Sequence, residues 1–394
     1  MMKIMSVNCG SSSLKFSIFD MDTNELIASG YFEKVTIPGS FFNIKFNGEK
    51  IHEDIDMMNH TEAVEIMLDR IVKLGIVSSL DEINAVGHRV VHGGEKYDKS
   101  VIITDEVIAD IVKFSDLAPL HNPANILGIE ALKKALPNVP QVAVFDTAFH
   151  QTMEPTEYIY PVPYEWYKDM MIRKYGFHGT SHCYVSKQIA KIKGSNEYKA
   201  IICHLGSGGS LSAIKNGVSV DTSMGFTPLA GIMMGTRSGD IDPSIISYVA
   251  NKKNESVDEV VNELNKKSGF IGLSQVSSDF RDVWAGVEEG NEQCKLAVDK
   301  YVKTVVDYIA MYYVELGGVD TIAFTAGLGE NAIPVRKMIC EKLACLGVVI
   351  DEEKNNIRGE EVKLSTDSSK IDVYVIPTNE ELMIAEDTYN LINK

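Results

Sequence analysis

The feature that most constrains the fold is a short pattern that occurs twice, about half the chain apart. The segment IMSVNCGSSSLKFSIF, which begins at Ile4, resembles AIICHLGSGGSLSAI, which begins at Ala200. Each copy is typical of an apolar strand, a Gly/Ser turn and a second strand that begins near Ser-Leu. Two such copies indicate a duplicated domain. The alternative at this stage is that two unrelated hairpins share the same turn chemistry.

Around these hairpins, short apolar runs alternate with amphipathic helical segments. The predicted strands are Ile4–Asn8, Phe16–Phe19, Ala85–Val91, Gln141–Asp146, Ala200–Leu205, Leu211–Ile214, Thr321–Ala326 and Val373–Pro377. One predicted helix runs Thr61–Leu74, and a second runs from about Cys294 to Leu316 with an apolar stripe of Val298, Tyr301, Val302, Val305, Ile309, Tyr313 and Leu316. Strands interleaved with helices predict an α/β fold, and 394 residues are enough for two or three domains.

Charge and cysteine usage exclude several classes of protein. A formal net charge of −17 argues against sequence-independent nucleic-acid binding, which depends on Lys and Arg meeting phosphates. The six cysteines have no C-x-x-C or zinc spacing, and no apolar run is long enough for a signal peptide or a membrane span. We therefore expect a cytoplasmic protein with neither a membrane nor a nucleic-acid partner.

Four Gly-rich turns, each predicted to follow an apolar strand, suggest anion binding. They are Gly10–Ser13, Gly206–Ser210, Gly235–Gly239 and Gly327–Gly329. Glycine lets successive backbone NH groups approach and converge on an anion. Lys15 follows the first turn and Arg237 lies inside the third, so cations accompany two of them. One such turn would be weak evidence, since most are tight corners.

Polar side chains concentrate at the ends of the predicted strands: Asn8, Arg89 with His92, Asp146, His204 and Glu380. The carboxyl edge of an open α/β sheet is where ligands bind. Two structural alternatives remain for the arginines. Arg89 would form a buried pair with Asp146, and Arg237 would form a salt bridge to Asp240 or Asp242. His52 and His60 lie in polar stretches and are expected to be solvated.

Common catalytic motifs are missing. There is no Walker A loop, no HExxH and no G-x-S-x-G elbow, and Asp279-Phe280-Arg281 has none of the other protein-kinase motifs around it. The run DMDTNE at Asp20 departs from an EF-hand at positions six and twelve, so it predicts a turn.

Ten runs, in order, resemble those of the acetate kinase family. They are VNCGSSSLKF, GHRVVHGGE, APLHNPAN, VFDTAFHQTM, YGFHGTSH, HLGSGGS, DTSMGFTPLAGIMMGTRSGDIDP, SSDFRD, FTAGLGEN and IPTNEE, and they span residues 2–386. The resemblance implies duplicated actin-like (ribonuclease H-like) ATPase domains flanking a central nucleotide cleft. It implies an N-terminal domain of residues 1–150 plus 382–394, and a C-terminal domain of 151–381 that carries most of the nucleotide site. It also implies a homodimer that catalyses Mg²⁺-dependent, reversible phosphoryl transfer from ATP to acetate, with Mn²⁺ as an alternative metal.

The resemblance also implies roles for individual residues. The catalytic residues would be Asp146, His178, Arg237 and Arg89, and Asn8 and Glu380 would be associated with the metal. Arg89, Val91, Leu120, Phe177 and Pro228 would bind acetate, with the last four around its methyl group. The nucleotide would contact Ser11, Ser13, Lys15, His204, Leu205, Gly206, Ser207, Gly208, Asp279, Phe280, Arg281, Gly327, Leu328, Gly329, Glu330 and Asn331.

The chain departs from the family pattern at three positions near these motifs. Ser207 stands where the family usually has Asn, Gly209 where it has Ala, and Ala230 where it has Glu. Serine keeps a hydrogen-bond donor but is shorter, and Gly209 adds backbone freedom. We expect altered nucleotide affinity or phosphodonor preference, not loss of activity.

The ionisation of acetate determines whether the implied reaction needs a general base. Acetate is already deprotonated at neutral pH, so transfer towards acetyl phosphate needs no general base, and Asp146 is expected mainly to orient an arginine. Two alternatives stay open. One is a kinase for propionate or another short-chain acid, because one methylene changes binding by only about 1–3 kcal/mol. The other is an actin- or Hsp70-like ATP-driven binding protein.

Overall fold

The computed structural model describes residues 2–394, in which the strands form two sheets. The strands are β1 (Lys3–Cys9), β2 (Ser13–Asp20), β3 (Glu25–Glu33), β4 (Phe41–Phe46), β5 (Glu49–Asp54), β6 (Ile83–Val90), β7 (Val101–Ile102), β8 (Gln141–Phe145), β9 (Lys199–Leu205), β10 (Gly209–Lys215), β11 (Val218–Thr222), β12 (Thr321–Thr325), β13 (Val362–Lys363) and β14 (Asp372–Val375).

Helices connect and cover these strands. They are α1 (His60–Lys73), α2 (Asp105–Lys113), α3 (Asn122–Ala135), α4 (Pro155–Tyr158), α5 (Tyr164–Met170), α6 (Gly179–Lys193), α7 (Ser244–Lys253), α8 (Val257–Lys266), α9 (Gly269–Ser274), α10 (Phe280–Glu288), α11 (Glu292–Glu315), α12 (Ala326–Asn331), α13 (Ile333–Lys342), α14 (Glu352–Asn355) and α15 (Glu380–Ile392), with short 3₁₀ turns at Leu80–Glu82, Phe114–Asp116, Ala148–His150 and Ala344–Leu346. Of the helices between residues 2 and 394, none combines the length and apolar character needed to cross a bilayer.

The two sheets share an arrangement of five consecutive strands. The first sheet runs β5-β4-β3-β2-β1-β6-β8-β7 and the second β11-β10-β9-β12-β14-β13. In each, three antiparallel strands are followed by two parallel ones: β3-β2-β1-β6-β8 in the first and β11-β10-β9-β12-β14 in the second. The α/β class is confirmed, and the sequence repeat coincides with a repeated sheet and not with two unrelated hairpins.

The chain divides into two compact units. The first contains the residues up to Gln151 together with Asn379–Lys394, and the second contains Thr152–Thr378. In the first unit α15 packs on β1, β6 and β8, so the last helix completes the fold begun by the N-terminal strands. In the second unit α11 packs on β9 and β10 and on α9, α10 and α13.

Both predicted helices are present, and the predicted stripe of the second contains one error of phase. Asn59 Oδ1 accepts a hydrogen bond from the Glu62 NH at 2.9 Å and so caps α1. In α11 the predicted apolar stripe is buried except at Tyr313, which is only partly buried; Tyr312 is fully buried in its place. A helix of 24 residues drifts relative to a fixed stripe, so a single position near its end was assigned to the wrong face.

Three expectations about local structure were incomplete or wrong. The β3–β5 meander was not predicted. The turn Gly235–Gly239 does not follow a strand, because the buried segment before it is irregular. Glu380 is the first residue of α15 and does not lie at a strand end. The turn predicted at DMDTNE is present between β2 and β3.

Candidate active site

The first Gly/Ser turn joins β1 to β2 and places Asn8 opposite Lys15 in the antiparallel register. The Gly10 NH donates to the Ser13 carbonyl at 2.8 Å, which closes the turn. His60 Nε2 lies 2.7 Å from the Gly10 carbonyl oxygen. The expectation that His60 is solvated was wrong, because its side chain is buried against this turn.

Arg89 and Asp146 meet at the ends of the parallel strands β6 and β8. Arg89 Nε donates to Asp146 Oδ2 at 3.0 Å, Nη2 donates to the same oxygen, and Nη1 reaches Asn8 Oδ1 at 3.4 Å. Burial alone lowers the pKa of Arg89, but the charge and hydrogen bonds of Asp146 raise it above its usual value. The Arg–Asp pair therefore exists. The Arg89 side chain is nevertheless 24% exposed, against 3% for Asp146, so the carboxylate orients a guanidinium that keeps a free edge.

Glu380 begins α15, which Asn379 caps by accepting from the Leu382 NH at 3.0 Å. A small cavity in this unit is lined by Glu380 with Asn8, Lys15 and Arg89, among others. Burial raises the pKa of Glu380 to about 7 against the attraction of Arg89, and the charges of Asp146 and Glu381 add to the rise.

These residues fit a hard divalent cation. Within residues 2–394 the Glu380 carboxylate makes no hydrogen bond or ion pair, so its oxygens are uncommitted. Its raised pKa means that the attraction of the nearby cations does not offset the burial of this carboxylate. Carboxylate and amide oxygens are ligands that Mg²⁺ accepts, usually together with water and phosphate oxygens.

The four residues expected around the acetate methyl group are divided between the two units. In the first unit Val91 is buried and donates its NH to Asn125 Oδ1 at 3.1 Å, whereas Leu120 is 72% exposed. In the second unit Phe177 is buried and Pro228 is half-buried.

The second Gly/Ser turn joins β9 to β10, and the Gly206 NH donates to the Gly208 carbonyl at 3.0 Å. A Cβ placed on Gly208 would lie 3.2 Å from Arg237 Nη1 and 3.7 Å from His178 Nε2. A cation and an imidazole therefore border the turn on one side. Glycine leaves open the space that a phosphate oxygen would need beside them.

Arg237 has no carboxylate partner in the part of the chain that the structure describes, 2–394. Its Nη1 donates to the Pro228 carbonyl at 3.3 Å and contacts Met234 Sδ at 3.7 Å. Asp240 instead accepts from the Gly231 NH at 2.8 Å and from the Tyr308 hydroxyl. The salt-bridge alternative is therefore wrong. Burial lowers the pKa of Arg237, as expected for a cation without a counter-ion.

His178 precedes α6 in the left-handed conformation, with φ at 56°. This conformation is uncommon for a residue with a side chain, and strained residues of this kind cluster at functional sites. The ring stacks on His204, with centroids 4.1 Å apart and planes 20° from parallel. The structure thus brings His178, His204 and Arg237 together around one turn.

A cavity of about 850 Å³ lies in the second unit. Its lining includes most of the residues expected to contact the nucleotide there: Gly206, Ser207, Asp279, Phe280, Arg281, Gly327, Leu328 and Asn331. Asp279 caps α10 and pairs with Arg281, and these hydrogen bonds lower the pKa of Asp279 to about 2. A volume of this size accommodates a drug-sized or nucleotide-sized ligand.

Three of the residues expected to contact the nucleotide instead make contacts within the protein. The Leu205 side chain is fully buried in the core. Glu330 Oε1 accepts from the NH groups of Ala326 at 2.8 Å and Thr378 at 3.1 Å. The Gly329 carbonyl accepts from Arg336 at 3.0 Å. None of these three residues lines the cavity, and their contacts stabilise the segments around it.

Comparisons with known proteins agree with this arrangement. The model of the acetokinase family matches residues 3–386. The chain belongs to the acetokinase family. The acetate kinase of Desulfitobacterium hafniense is 54% identical over 398 residues, which cover 100% of both chains.

Solved structures of family members have the same fold. Porphyromonas gingivalis acetate kinase superposes with a TM-score of 0.96 at 44% identity, covering 100% of both chains. A propionate kinase from Francisella tularensis superposes with a TM-score of 0.94 at 43% identity, covering 99% of this chain and 100% of that one.

Sequence reasoning missed several residues that line or support the cavity of the second unit. Phe270, Trp284 and Arg358 line it, and Trp284 stacks on Phe280 with ring centroids 5.9 Å apart. Arg336 is fully buried and donates to the Asn355 side chain and to the carbonyls of Gly329, Asn355 and Ile357. The four-residue spacing of Phe280 and Trp284 on a helix was the available signal.

The departures from the family pattern have local explanations in part. A Cβ on Gly209 would lie 2.9 Å from Ile232 Cδ1, so the Ile232 side chain occupies the space that the methyl group of an alanine would need. Ser207 lines the cavity, where its shorter side chain would stand farther from a ligand than asparagine. Nothing in the structure explains why Ala230 is not glutamate.

Proposed function

We propose that this acetokinase-family chain is an acetate kinase that transfers the γ-phosphoryl group of ATP reversibly to acetate. The observation that carries the proposal is Arg237, a half-buried guanidinium without a carboxylate partner among residues 2–394, beside a glycine turn and His178. Such a group is expensive to bury unless it has an anionic ligand. The relatives named acetate kinase, at identities up to 54%, support the choice of acceptor.

The acceptor end is assigned to Arg89. Acetate arrives as a carboxylate, and a guanidinium fork matches its two oxygens. Asp146 fixes the direction of the fork through two hydrogen bonds to one carboxylate oxygen. Because acetate needs no deprotonation, Asp146 acts as a positioning group and not as a general base in this direction.

The transferring phosphoryl group is assigned to Arg237 and His178. Phosphoryl transfer requires positioning and neutralisation of the charge on the equatorial oxygens more than covalent chemistry. Both side chains border Gly208 in the second turn. Val91, Leu120, Phe177 and Pro228 are assigned to the methyl group of acetate.

The nucleotide and metal are assigned to the remaining groups. In the second unit ATP would occupy the 850 Å³ cavity, with Phe280 and Trp284 offering aromatic surface. In the first unit Lys15, Ser11 and Ser13 would contact phosphates, and Asn8 and Glu380 would hold Mg²⁺ or Mn²⁺. The bound metal would neutralise phosphate charge during transfer.

Assembly, location and domain boundaries belong to the same proposal. We expect a cytoplasmic homodimer, with an N-terminal domain of residues 1–150 plus 382–394 and a C-terminal domain of residues 151–381. Light scattering of the purified chain tests the dimer, since a monomer at micromolar concentration would contradict it.

The decisive assay traps acetyl phosphate as its hydroxamate from purified protein, Mg²⁺, ATP and acetate. The proposal predicts product that depends on both acetate and ATP. ATP hydrolysis that is indifferent to acetate would instead favour an actin- or Hsp70-like ATPase. A chain with Arg89→Ala serves as the matched control for contaminating kinase.

A second candidate is propionate kinase, which the similarity to the Francisella tularensis propionate kinase favours. One additional methylene changes discrimination by only about 1–3 kcal/mol, so both acids are expected to react. Values of kcat/KM for acetate, propionate and butyrate decide between them. We expect acetate to be the best of the three.

A further inference from the structure

Two buried serines contact the histidine rings beside the second turn. Ser210 Oγ lies 2.9 Å from His178 Nδ1, and Ser181 Oγ lies 2.7 Å from His204 Nδ1. Both serines are fully buried, and the two rings stack face to face. The two imidazoles are therefore held in the same way, each at its Nδ1 atom by a serine hydroxyl.

The opposite nitrogen of each ring points to a glycine of the turn. A Cβ placed on Gly208 would lie 3.7 Å from His178 Nε2, and one placed on Gly206 would lie 3.9 Å from His204 Nε2. The two Nε2 atoms thus border the same short loop two residues apart. Each Nε2 atom attracts a phosphate oxygen if it carries a hydrogen and repels it if it carries a lone pair.

The second contacts of the serines are consistent with one placement of the hydrogens. Ser210 Oγ is also 2.8 Å from His182 Nε2, and Ser181 Oγ is 2.8 Å from Thr378 Oγ1. A hydroxyl has one hydrogen to donate and two lone pairs. If each hydroxyl accepts from its second partner, it donates to the imidazole Nδ1, and the neutral ring then carries its hydrogen on Nε2.

Nearby charge favours neutral rings. Arg237 Nη1 lies 3.2 Å from the Cβ position of Gly208 that His178 also borders, so a second full cation there would be opposed by like charge. Two stacked imidazolium ions would oppose each other in the same way. Neutral donors at Nε2 satisfy both constraints.

We propose that Ser210 and Ser181 are positioning residues that hold His178 and His204 as Nε2–H tautomers, so that both rings donate hydrogen bonds to the phosphate chain at the Gly206–Gly208 turn. The opposite tautomer would present a lone pair to a phosphate oxygen and repel it. The identity of the acceptor rests on the proposed function, whereas the tautomers do not.

The direct test is nitrogen NMR of the wild-type chain with ¹⁵N-labelled histidine. Long-range proton–nitrogen spectra distinguish the two neutral tautomers and the cation, and His178→Gln and His204→Gln identify the two signals. The proposal predicts the Nε2–H tautomer for both rings at pH 7.5. A hydrogen on Nδ1 of either ring would overturn it. Wild-type protein suffices, so unstable serine variants do not affect the outcome.

A kinetic test uses matched serine variants. Removing one hydrogen-bond donor to a transition state can lower kcat by about 10²–10³. A His178 ring that is free to adopt both tautomers still donates part of the time, so the loss of kcat should be smaller. Ser210→Ala should therefore lower kcat about tenfold and leave KM for acetate within twofold. Ser181→Ala should raise KM for ATP about fivefold, since one neutral hydrogen bond is worth about 1 kcal/mol. In both variants the ¹⁵N spectra should show mixed tautomers.

The controls remove buried serine hydroxyls of the same elements that do not touch a histidine. Ser212 on β10 bonds to Thr222, and Ser186 on α6 bonds to Tyr198. Ser212→Ala and Ser186→Ala should keep wild-type kinetics. Equal kinetics for Ser210→Ala and Ser212→Ala would refute the positioning role. Absence of acetyl phosphate with the wild-type chain would refute the proposed function but leave the NMR result standing.

Discussion

The two Gly/Ser turns have the same place in the five-strand arrangement that the two sheets share, yet different groups surround them. The Gly10–Ser13 turn is closed by a hydrogen bond of 2.8 Å and carries three serine hydroxyls, with Lys15 in the strand that follows. The Gly206–Ser210 turn is closed by one of 3.0 Å and is bordered by Arg237, His178 and His204. The backbone of the turn is therefore similar in both copies, and the side chains around each turn determine which groups it offers to a ligand.

This contrast assigns different tasks to the two turns. Hydroxyls and an ammonium group bind phosphate without demanding one geometry, so the first turn should contribute mainly to nucleotide affinity. A guanidinium and oriented imidazoles can match the charge of a transition state, so the second turn should contribute mainly to rate. Changes to Arg237 or His178 at the second turn should therefore lower kcat, and changes in the first turn should raise KM.

The largest effect is expected for Arg237→Lys. A point charge cannot replace a fork that contacts the phosphoryl oxygens only in the transition state, so kcat should fall by about 10³. The measurement is acetyl phosphate formation at saturating ATP and acetate. Arg281→Lys, at an exposed cavity residue, is the control and should affect KM for ATP more than kcat. Near-normal turnover of Arg237→Lys would contradict the claim that the second turn contributes mainly to rate.

Asp146→Asn should lower kcat by about 10², because Arg89 loses a charge-assisted partner and its fixed direction. A full pH–rate profile checks the reason. Since Asp146 is assigned to orientation, no pH should restore the rate. Recovery of wild-type turnover at high pH would show instead that proton transfer limits the variant.

Ser13→Ala tests the first turn. Loss of one hydroxyl near a phosphate should raise KM for ATP about five-fold, since one such hydrogen bond is worth about 1 kcal/mol, and should leave kcat and Tm almost unchanged. Ser17→Ala, farther along the same strand, should do nothing to KM. If Tm falls while the kinetics stay constant, the hydroxyl has only a structural role in the turn.

Gly209→Ala restores the usual family residue and should be mildly harmful in this chain. The new methyl would lie 2.9 Å from Ile232 Cδ1, and overpacking of this kind costs about 1–3 kcal/mol. Thermal unfolding should show a lowered Tm that Ile232→Val restores in the double variant. Equal Tm for Gly209→Ala and the unchanged chain would show that Ile232 is not the compensating residue.

The smallest effect concerns an acidic group away from both turns. Carboxylate oxygens of Glu157, Asp221 and Glu315 lie within 4.8 Å of one another, and burial followed by the charge of Asp221 raises the pKa of Glu315 to about 7. A raised pKa means that the folded chain binds the proton more tightly than the unfolded one, so this group lowers stability as pH rises from about 5 to 8.

Glu315→Gln should therefore raise Tm at pH 8 and leave it nearly unchanged at pH 5. The gain should be only about 1–2 °C, because Glu315 stays accessible to solvent despite the partial burial that raises its pKa, and solvent screens its charge. Calorimetric scans at the two pH values check it. Equal shifts at both would show that the carboxyl group does not titrate in this range.

The sequence predicted the repeated hairpin, the α/β class and most of the strands, because apolar runs and Gly/Ser turns are local signals. It suggested the Arg89–Asp146 pair but could not show that the two residues meet, since the register of β6 beside β8 depends on long-range pairing. Arg336 was missed because three of its four acceptors are backbone carbonyls, which leave no mark in sequence. Tyr312 and Tyr313 were exchanged because helix phase accumulates over many turns.

The central claim is that the phosphoryl group moves in one direct transfer, and that no side chain of the chain accepts it on the way. The most direct test uses ATP made chiral at the γ-phosphorus with three oxygen isotopes and determines the configuration of the acetyl phosphate formed. A single in-line displacement predicts inversion at phosphorus. Retention would require a phosphorylated intermediate and would contradict the account.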